Sequence, residues 1–355
     1  MKLIEKILQS RFFLTLISIL ISFAFGALFL LVMGISPLVA YGKLLDGVFS
    51  TTKNLSYCVV YATPLVFTGL AVAFSFRTGV FNIGAEGQFV VGSMAACVVG
   101  ILVPAPGYVL IPLCFIAAAL AGAIWGIIVG FLKTKFGINE VLSMIMFNWI
   151  AYYLSNFIAD LEIIHDTGSA EATRNVADAA MILMPKSMIQ WLGLCPKANW
   201  GIFAAMLAVV LIYVVIDKTT TGYQLKAVGF NRSAAEYAGI NVNRSILLAL
   251  AISGALAGVG GAMQLLGQGG RISIFAAQEG FGFQGISVAL IGASSPIGVF
   301  FSALFYGALK YGGTKLNLVG APSEVINIIT GLVVFFIAIS HVFRIRTRRG
   351  GKSHG

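Results

Sequence analysis

Charge is what this chain lacks most. Asp, Glu, Lys and Arg make up 10% of its 355 residues, less than half the roughly 25% usual in soluble domains. With a mean hydropathy of +0.95, such a chain cannot clothe a soluble globular surface. Cysteine is scarce too: Cys58, Cys97 and Cys114 lie in apolar runs and Cys195 in a loop. Their spacing suggests neither a metal site nor a disulfide framework. The three histidines, His165, His341 and His354, are scattered, which supports no metal cluster and no catalytic triad. No Walker A sequence occurs. Gly280-x-Gly282-x-x-Gly285 fits the dinucleotide pattern literally, but it lies among membrane segments rather than in a βαβ unit. These absences point away from covalent chemistry on this chain.

What is present is hydrocarbon: 59% hydrophobic residues, 41 glycines and 12% aromatics. Several uncharged runs reach the length of about 20 residues that crosses a bilayer as helix. The pattern suits a helical bundle rather than a barrel of short alternating segments. The run from about 12 to 33 follows Lys2, Lys6 and Arg11. It is too long for a signal-peptide core and lacks a small-residue cleavage site, so it reads as an uncleaved first span. Residues 35–55 read as a loop. Further spans are expected at about 57–76 (with Pro64 as a kink), 88–103, 109–132, 138–159, 200–216 and 245–266. Shorter apolar segments follow at 281–293 and 297–309, and a last span at 325–340. The sequence thus predicts an all-α polytopic membrane protein, a single transmembrane domain over 1–355 with about ten transmembrane segments.

Parity orients it. With the N-terminus inside, Arg77, Lys133, Lys135, the basic loop 217–244 and the tail arginines (Arg344, Arg346, Arg348, Arg349) all fall on the cytoplasmic side. The acid-rich loop 160–198 falls outside. One assumption satisfies the positive-inside bias at every loop, so both termini are expected inside. Small residues recur every fourth position at Gly122, Gly126 and Gly130, and at Gly254, Gly258 and Ala262, which reads as two close-packing helix faces.

Between the second and third spans lies Gly79-Val80-Phe81-Asn82-Ile83-Gly84-Ala85-Glu86-Gly87-Gln88. A carboxylate beside hydrocarbon costs about 2.5 kcal/mol or more at mid-bilayer, so Glu86 is a functional-site candidate by default. Polar lining, hydrogen bonding to a neighbouring helix end and proton coupling are the three roles open to it; the helix-end bond is preferred. A loose echo, Phe281-Gly282-Phe283-Gln284-Gly285-Ile286, follows the seventh span, entered from the opposite side of the membrane. Inverted repeats with glycine-interrupted short segments point to a transport pathway. The candidate pathway residues are Phe81, Asn82, Glu86, Gln88, Asn148, Phe283 and Gln284. In the cytoplasmic loop, Ser233-Ala234-Ala235-Glu236 reads as a capping box started by Ser233, and Gly239 as its left-handed stop. That predicts a short helix on which a cytoplasmic partner could push, through Asn231, Arg232, Ser233, Glu236, Tyr237 and Gly239.

These residues resemble a known family. From about residue 57 to 340 the chain is similar to permease subunits of bacterial ABC importers in the sugar, nucleoside and branched-chain amino acid superfamily. Thr78 to Gln88 looks like the signature of the nucleoside branch. Asn139-Glu140-Val141-Leu142 with Met146-Phe147-Asn148 is similar to its second hallmark. Ala227-Val228-Gly229-Phe230-Asn231 through Ala234-Ala235-Glu236-Tyr237-Ala238-Gly239-Ile240 looks like its coupling loop. Sugar permeases tend to carry Asp-Leu-Ser where this chain has Asn82-Ile83-Gly84. The resemblance implies a type II importer permease of the bacterial plasma (inner) membrane, importing purine and pyrimidine nucleosides and not itself an enzyme. It also implies a shorter second permease, since the 160–198 insertion is similar to that of the longer of two paired subunits. The other implied partners are a cytoplasmic ATPase, binding ATP and Mg on two domains of one chain, and an extracellular lipoprotein that binds nucleosides. Simple sugars, branched-chain amino acids and a stand-alone secondary transporter are the alternatives.

Overall fold

The computed structural model describes residues 11–350 apart from 170, 275, 276 and 323. Lys2 and Lys6, and the side chains of Arg11, Arg344, Arg346, Arg348 and Arg349, lie outside what is described. Most of the described chain is helical: α1 (Arg11–Val32), α2 (Pro37–Phe49), α3 (Thr52–Arg77), α4 (Ala85–Leu102), α5 (Gly107–Phe136), α6 (Glu140–Ala159), α7 (Lys186–Leu192), α8 (Gly201–Lys218), α9 (Thr220–Phe230), α10 (Arg232–Tyr237), α11 (Val242–Gln264), α12 (Phe281–Ile291), α13 (Pro296–Gly313) and α14 (Val325–Gly350). A π-helical turn, Leu265–Gly269, continues α11, and a 3-10 turn, Thr314–Val319, follows α13.

Among the described residues, seven helices are long and apolar enough to cross a membrane: α1, α3, α4, α5, α6, α8 and α11 with its π turn. The expected count of about ten also takes in α12, α13 and α14.

One stretch expected to be a loop is helical, and a second holds more than the one short helix expected of it. Residues 37–49 form α2, because Pro37 pre-sets the first turn and Ala40, Leu44 and Val48 recur four apart and are buried. Residues 217–244 hold α9 and α10. Thr219 caps α9 by accepting from the Gly222 N–H at 3.1 Å.

The chain divides into two compact units: residues up to Cys58 with those from Ala308 onward, and Val59–Gly307. In the first, α1 packs on α14 where Gly26 faces Ile329. Tyr57 stacks on Tyr311 at 4.9 Å, and the Tyr311 hydroxyl donates to Asn54 Oδ1 at 3.0 Å.

The second unit is built around α4 and α11 with the greater part of α3. The membrane-length portions of these helices are 83% (α3), 67% (α4) and 61% (α11) buried, against 28% for each of α5, α6 and α8. α5 crosses α11 at the two small-residue stripes: a side chain on Gly122 would collide with the Gly254 carbonyl, and one on Gly258 with the Ala118 carbonyl. Backbone contact of this kind needs glycine, since packing rather than the hydrophobic effect holds helices together in lipid.

Residues 160–198 are folded onto the end of α11. Thr173 N donates to Ile272 O at 2.8 Å, Val176 N to Gly270 O at 2.8 Å and Ile182 N to Leu266 O at 3.1 Å, while Ala177 N reaches Gly100 O at 3.0 Å. Val176, Ala180, Ile182 and Cys195 are the buried residues by which this segment packs.

Candidate functional site

Two helices begin inside the second unit rather than at its surface. α4 starts at Ala85 after the non-helical residues 78–84, and α12 starts at Phe281 after Gly280, whose φ is +82°. The contacts fix where these starts lie. α12 runs beside α3: Gly285 faces Thr68, Val288 faces Gly69, and the Arg77 guanidinium donates to Ser294 O at 3.0 and 3.2 Å. Thr68 lies nine residues before Arg77, about 14 Å along a helix, so α12 starts roughly halfway up α3. The start of α4 meets it there, because Gly282 abuts the Ala85–Glu86 backbone so tightly that a Cβ would overlap it. Phe281 stacks on Phe89 at 5.1 Å. The two stretches that echo each other in sequence therefore touch, each as a non-helical approach leading into a helix N-terminus.

Glu86 joins them. Its Oε1 accepts from Gly280 N at 2.7 Å and its Oε2 from Gly282 N at 2.6 Å, so the carboxylate caps α12 from the first turn of α4. This is the helix-end bond expected for it. A helix start leaves N–H groups unsatisfied and carries partial positive charge. Two such starts around one buried carboxylate offset the cost of removing it from water.

Around this pair runs a connected set of buried polar groups. Asn82 Nδ2 donates to Gln88 Oε1 at 2.9 Å and to Ser253 Oγ at 2.6 Å, and the Ser253 hydroxyl donates to Ala71 O at 2.6 Å. The set thus ties α3, α4 and α11 together. From α6, Asn148 accepts from Gly87 N at 2.8 Å and donates to Ile83 O at 3.1 Å. Gly87 has no room for a side chain, since a Cβ would stand 2.9 Å from Asn148 Oδ1. Asn82, Glu86, Gln88 and Asn148 are at most 2% exposed, so they are held by the protein's own groups rather than facing an open passage.

The aromatic candidates stand apart. Phe81 packs on Phe76 at 5.1 Å, and Phe283 is 38% exposed on α12. Gln284 is half-buried on the same helix. Sequence reasoning missed Ser253; its only signal was a hydroxyl immediately before the stripe that begins at Gly254.

The candidates from the 217–244 stretch lie on α10 and its ends. Its cap is Asn231, not Ser233: Asn231 is extended (φ −158°) and its Oδ1 accepts from Ala234 N at 3.1 Å. The helix therefore opens at Arg232, and Ser233 and Glu236 fall inside it, too late for a capping box. Gly239 ends it with φ +81°, as expected. Asn231, Arg232, Ser233, Glu236, Tyr237 and Gly239 are all exposed, Tyr237 at 97% and neighbouring Phe230 at 89%. This region touches the start of the Glu86 stretch. Arg232 donates to Gly79 O at 3.4 Å, and the Gly229 backbone lies against Arg77 O and Gly79. Lys133 and Glu140 form an ion pair nearby. Among the described residues no group of His, Cys, Asp and Glu is placed to hold a metal.

Comparison with known proteins gives the following. Residues 54–338 match the family described as branched-chain amino acid transport system / permease component. The chain is 39% identical over 336 residues to the guanosine ABC transporter permease protein NupP of Bacillus subtilis (strain 168), covering 94% of this chain and 95% of that one. It is 31% identical over 337 residues to the nucleoside ABC transporter permease protein NupB of Lactococcus lactis subsp. cremoris, covering 93% and 91%. It is 32% identical over 332 residues to the glucose ABC transporter permease protein TsgB13 of Haloferax volcanii, covering 92% and 87%. The same two bacterial strains hold second, more distant relatives: NupQ at 28% identity and NupC at 27%, each covering 74% of this chain.

Proposed function

This chain belongs to the branched-chain amino acid transport system / permease component family, and on that premise we propose that it is a membrane subunit of an ABC importer for purine and pyrimidine nucleosides. The observation that carries the substrate class is the near full-length likeness to NupP and NupB, both named for nucleosides. The paired relatives in those bacteria support a second, shorter permease as its membrane partner. A cytoplasmic ATPase holding ATP and Mg, with two nucleotide-binding domains on one chain, and an extracellular nucleoside-binding lipoprotein complete the proposed assembly. It lies in the plasma membrane with both termini cytoplasmic and 160–198 outside.

In this reading the partner ATPase docks on exposed α10. Its closure moves α9 and α10, which touch the Arg77–Gly79 turn through Gly229 and Arg232. Arg77 holds the far end of α12, and Glu86 holds its start. A push on α10 thus reaches both interior helix starts along one connected path. The pathway opens to one side and then the other because the ATPase binds the two states with different affinity. Asn82, Glu86, Gln88, Asn148 and Gln284, with Phe81 and Phe283, line or border it as it opens. Few strong contacts are needed there, since tight binding would slow release.

The test is ATP-dependent uptake of radiolabelled guanosine, adenosine, cytidine and uridine by the reconstituted complex. Uptake of leucine, ribose or glucose in their place overturns the substrate class; the likeness to TsgB13 makes glucose the rival to include. Movement of substrate by the purified chain without ATP overturns the ABC mechanism.

A further inference from the structure

A cavity of about 290 Å³ lies between α5 and α6 over α4, lined by Val91, Met94, Val98, Ala117, Ala151 and Ser155 among others. The two flanking helices are pinned together where the Trp125 indole N–H donates to Phe147 O at 3.3 Å. Ala117 and Ser155 each lie eight residues beyond that pin, about 12 Å along their helices, so the cavity is the wedge that opens past it. Ser155 is 2% exposed, and its hydroxyl oxygen is buried with no hydrogen-bond partner. A buried hydroxyl left unpaired costs free energy, so the wedge has one polar demand in an apolar wall.

Three kinds of occupant can be weighed. A water needs two to four polar partners, and the wall offers one. A nucleoside brings several ribose and base-edge groups that need positioned partners, and the same single hydroxyl cannot supply them. An acyl chain needs only apolar wall, and Ser155 lies where the polar end of a lipid would be: four residues, about 6 Å, from the end of α6. By charge parity that is the outer end. The rim is apolar on both sides, with Ile116, Leu120 and Phe157 exposed at 55%, 57% and 65%.

We infer that this wedge is a phospholipid site: one acyl chain of an outer-leaflet lipid fills it, and an oxygen at the polar end of that lipid accepts a hydrogen bond from Ser155. The inference rests on membrane embedding, with the leaflet taken from the proposed orientation, and stands whatever the transported substrate is.

The experiment places the assembled permease complex in phosphatidylethanolamine–phosphatidylglycerol vesicles containing a phospholipid with a photoreactive diazirine midway along one chain. After illumination, labelled peptides are mapped. Label is expected to concentrate on 91–99 and 151–158. Ala117→Trp, which fills the wedge, should abolish that concentration while leaving label on exposed α8 unchanged. Ser155→Val, which keeps the volume and removes the hydroxyl, should weaken retention of the lipid through purification roughly three- to tenfold, the worth of one hydrogen bond. Label spread evenly over the exposed apolar faces overturns the site, as does a wedge unlabelled in the assembled complex because the second permease covers it. Displacement of the label by added guanosine would assign the wedge to the transport path and also overturn it.

Discussion

Glu86 can sit 0% exposed in a membrane protein because two backbone N–H groups at the start of α12 point at its two oxygens. Charge-assisted bonds of this kind are short and strong, and the positive end of α12 adds to them. Glu86→Gln keeps one acceptor oxygen but turns an amide N–H₂ toward the other backbone donor. The assembled complex should then lose stability on the order of 1–3 kcal/mol, seen as a lower thermal midpoint in detergent, while uptake persists at a reduced rate. Abolished uptake with normal membrane levels and normal assembly would count against a capping role. The sequence marked Glu86 as costly and named a helix-end bond as its preferred role. It could not name Gly280 and Gly282 as the donors, because they lie 194 and 196 residues away.

At the scale of elements, the short starts and caps decide the arrangement. α10 has only six residues, too few to be stable without help from its ends. Asn231→Ala should therefore cost about 1 kcal/mol of helix stability and lower ATP-driven uptake relative to ATP hydrolysis in the reconstituted complex. Ser233→Ala should leave that ratio at the wild-type value; the opposite ranking would return the cap to Ser233. The misplacement has a local cause. Ser-x-x-Glu satisfies the capping pattern, but Asn231 two residues earlier satisfies the simpler Asx cap and starts the helix first. The small-residue stripes on α5 and α11 were legible outright, since a repeat every fourth position has one physical use in lipid.

For the whole molecule, the proposed orientation rests on where Lys and Arg fall, and thiol chemistry tests it. All four native cysteines are buried, so background labelling should be low. Trp191 and Tyr237 are 82% and 97% exposed in segments assigned to opposite sides. A membrane-impermeant maleimide should label Trp191→Cys on intact cells, and Tyr237→Cys only after the membrane is opened. The reverse pattern would invert the topology.

The sequence by itself determined the membrane class, the helical architecture and the resemblance to importer permeases, and it carries the charge pattern on which the proposed orientation rests. Each of these depends on composition, on run length or on residues close together in the chain. Tertiary structure decided which distant groups meet. It brought the echoed stretches 78–88 and 280–286 into contact, and it joined Asn82 to Ser253 across 171 residues. It also set α10 against Gly79 and placed Ser155 in the wall of the wedge between α5 and α6. These pairings rest on how helices cross and on where backbone donors are left unsatisfied, neither of which has a local signature in the amino-acid order.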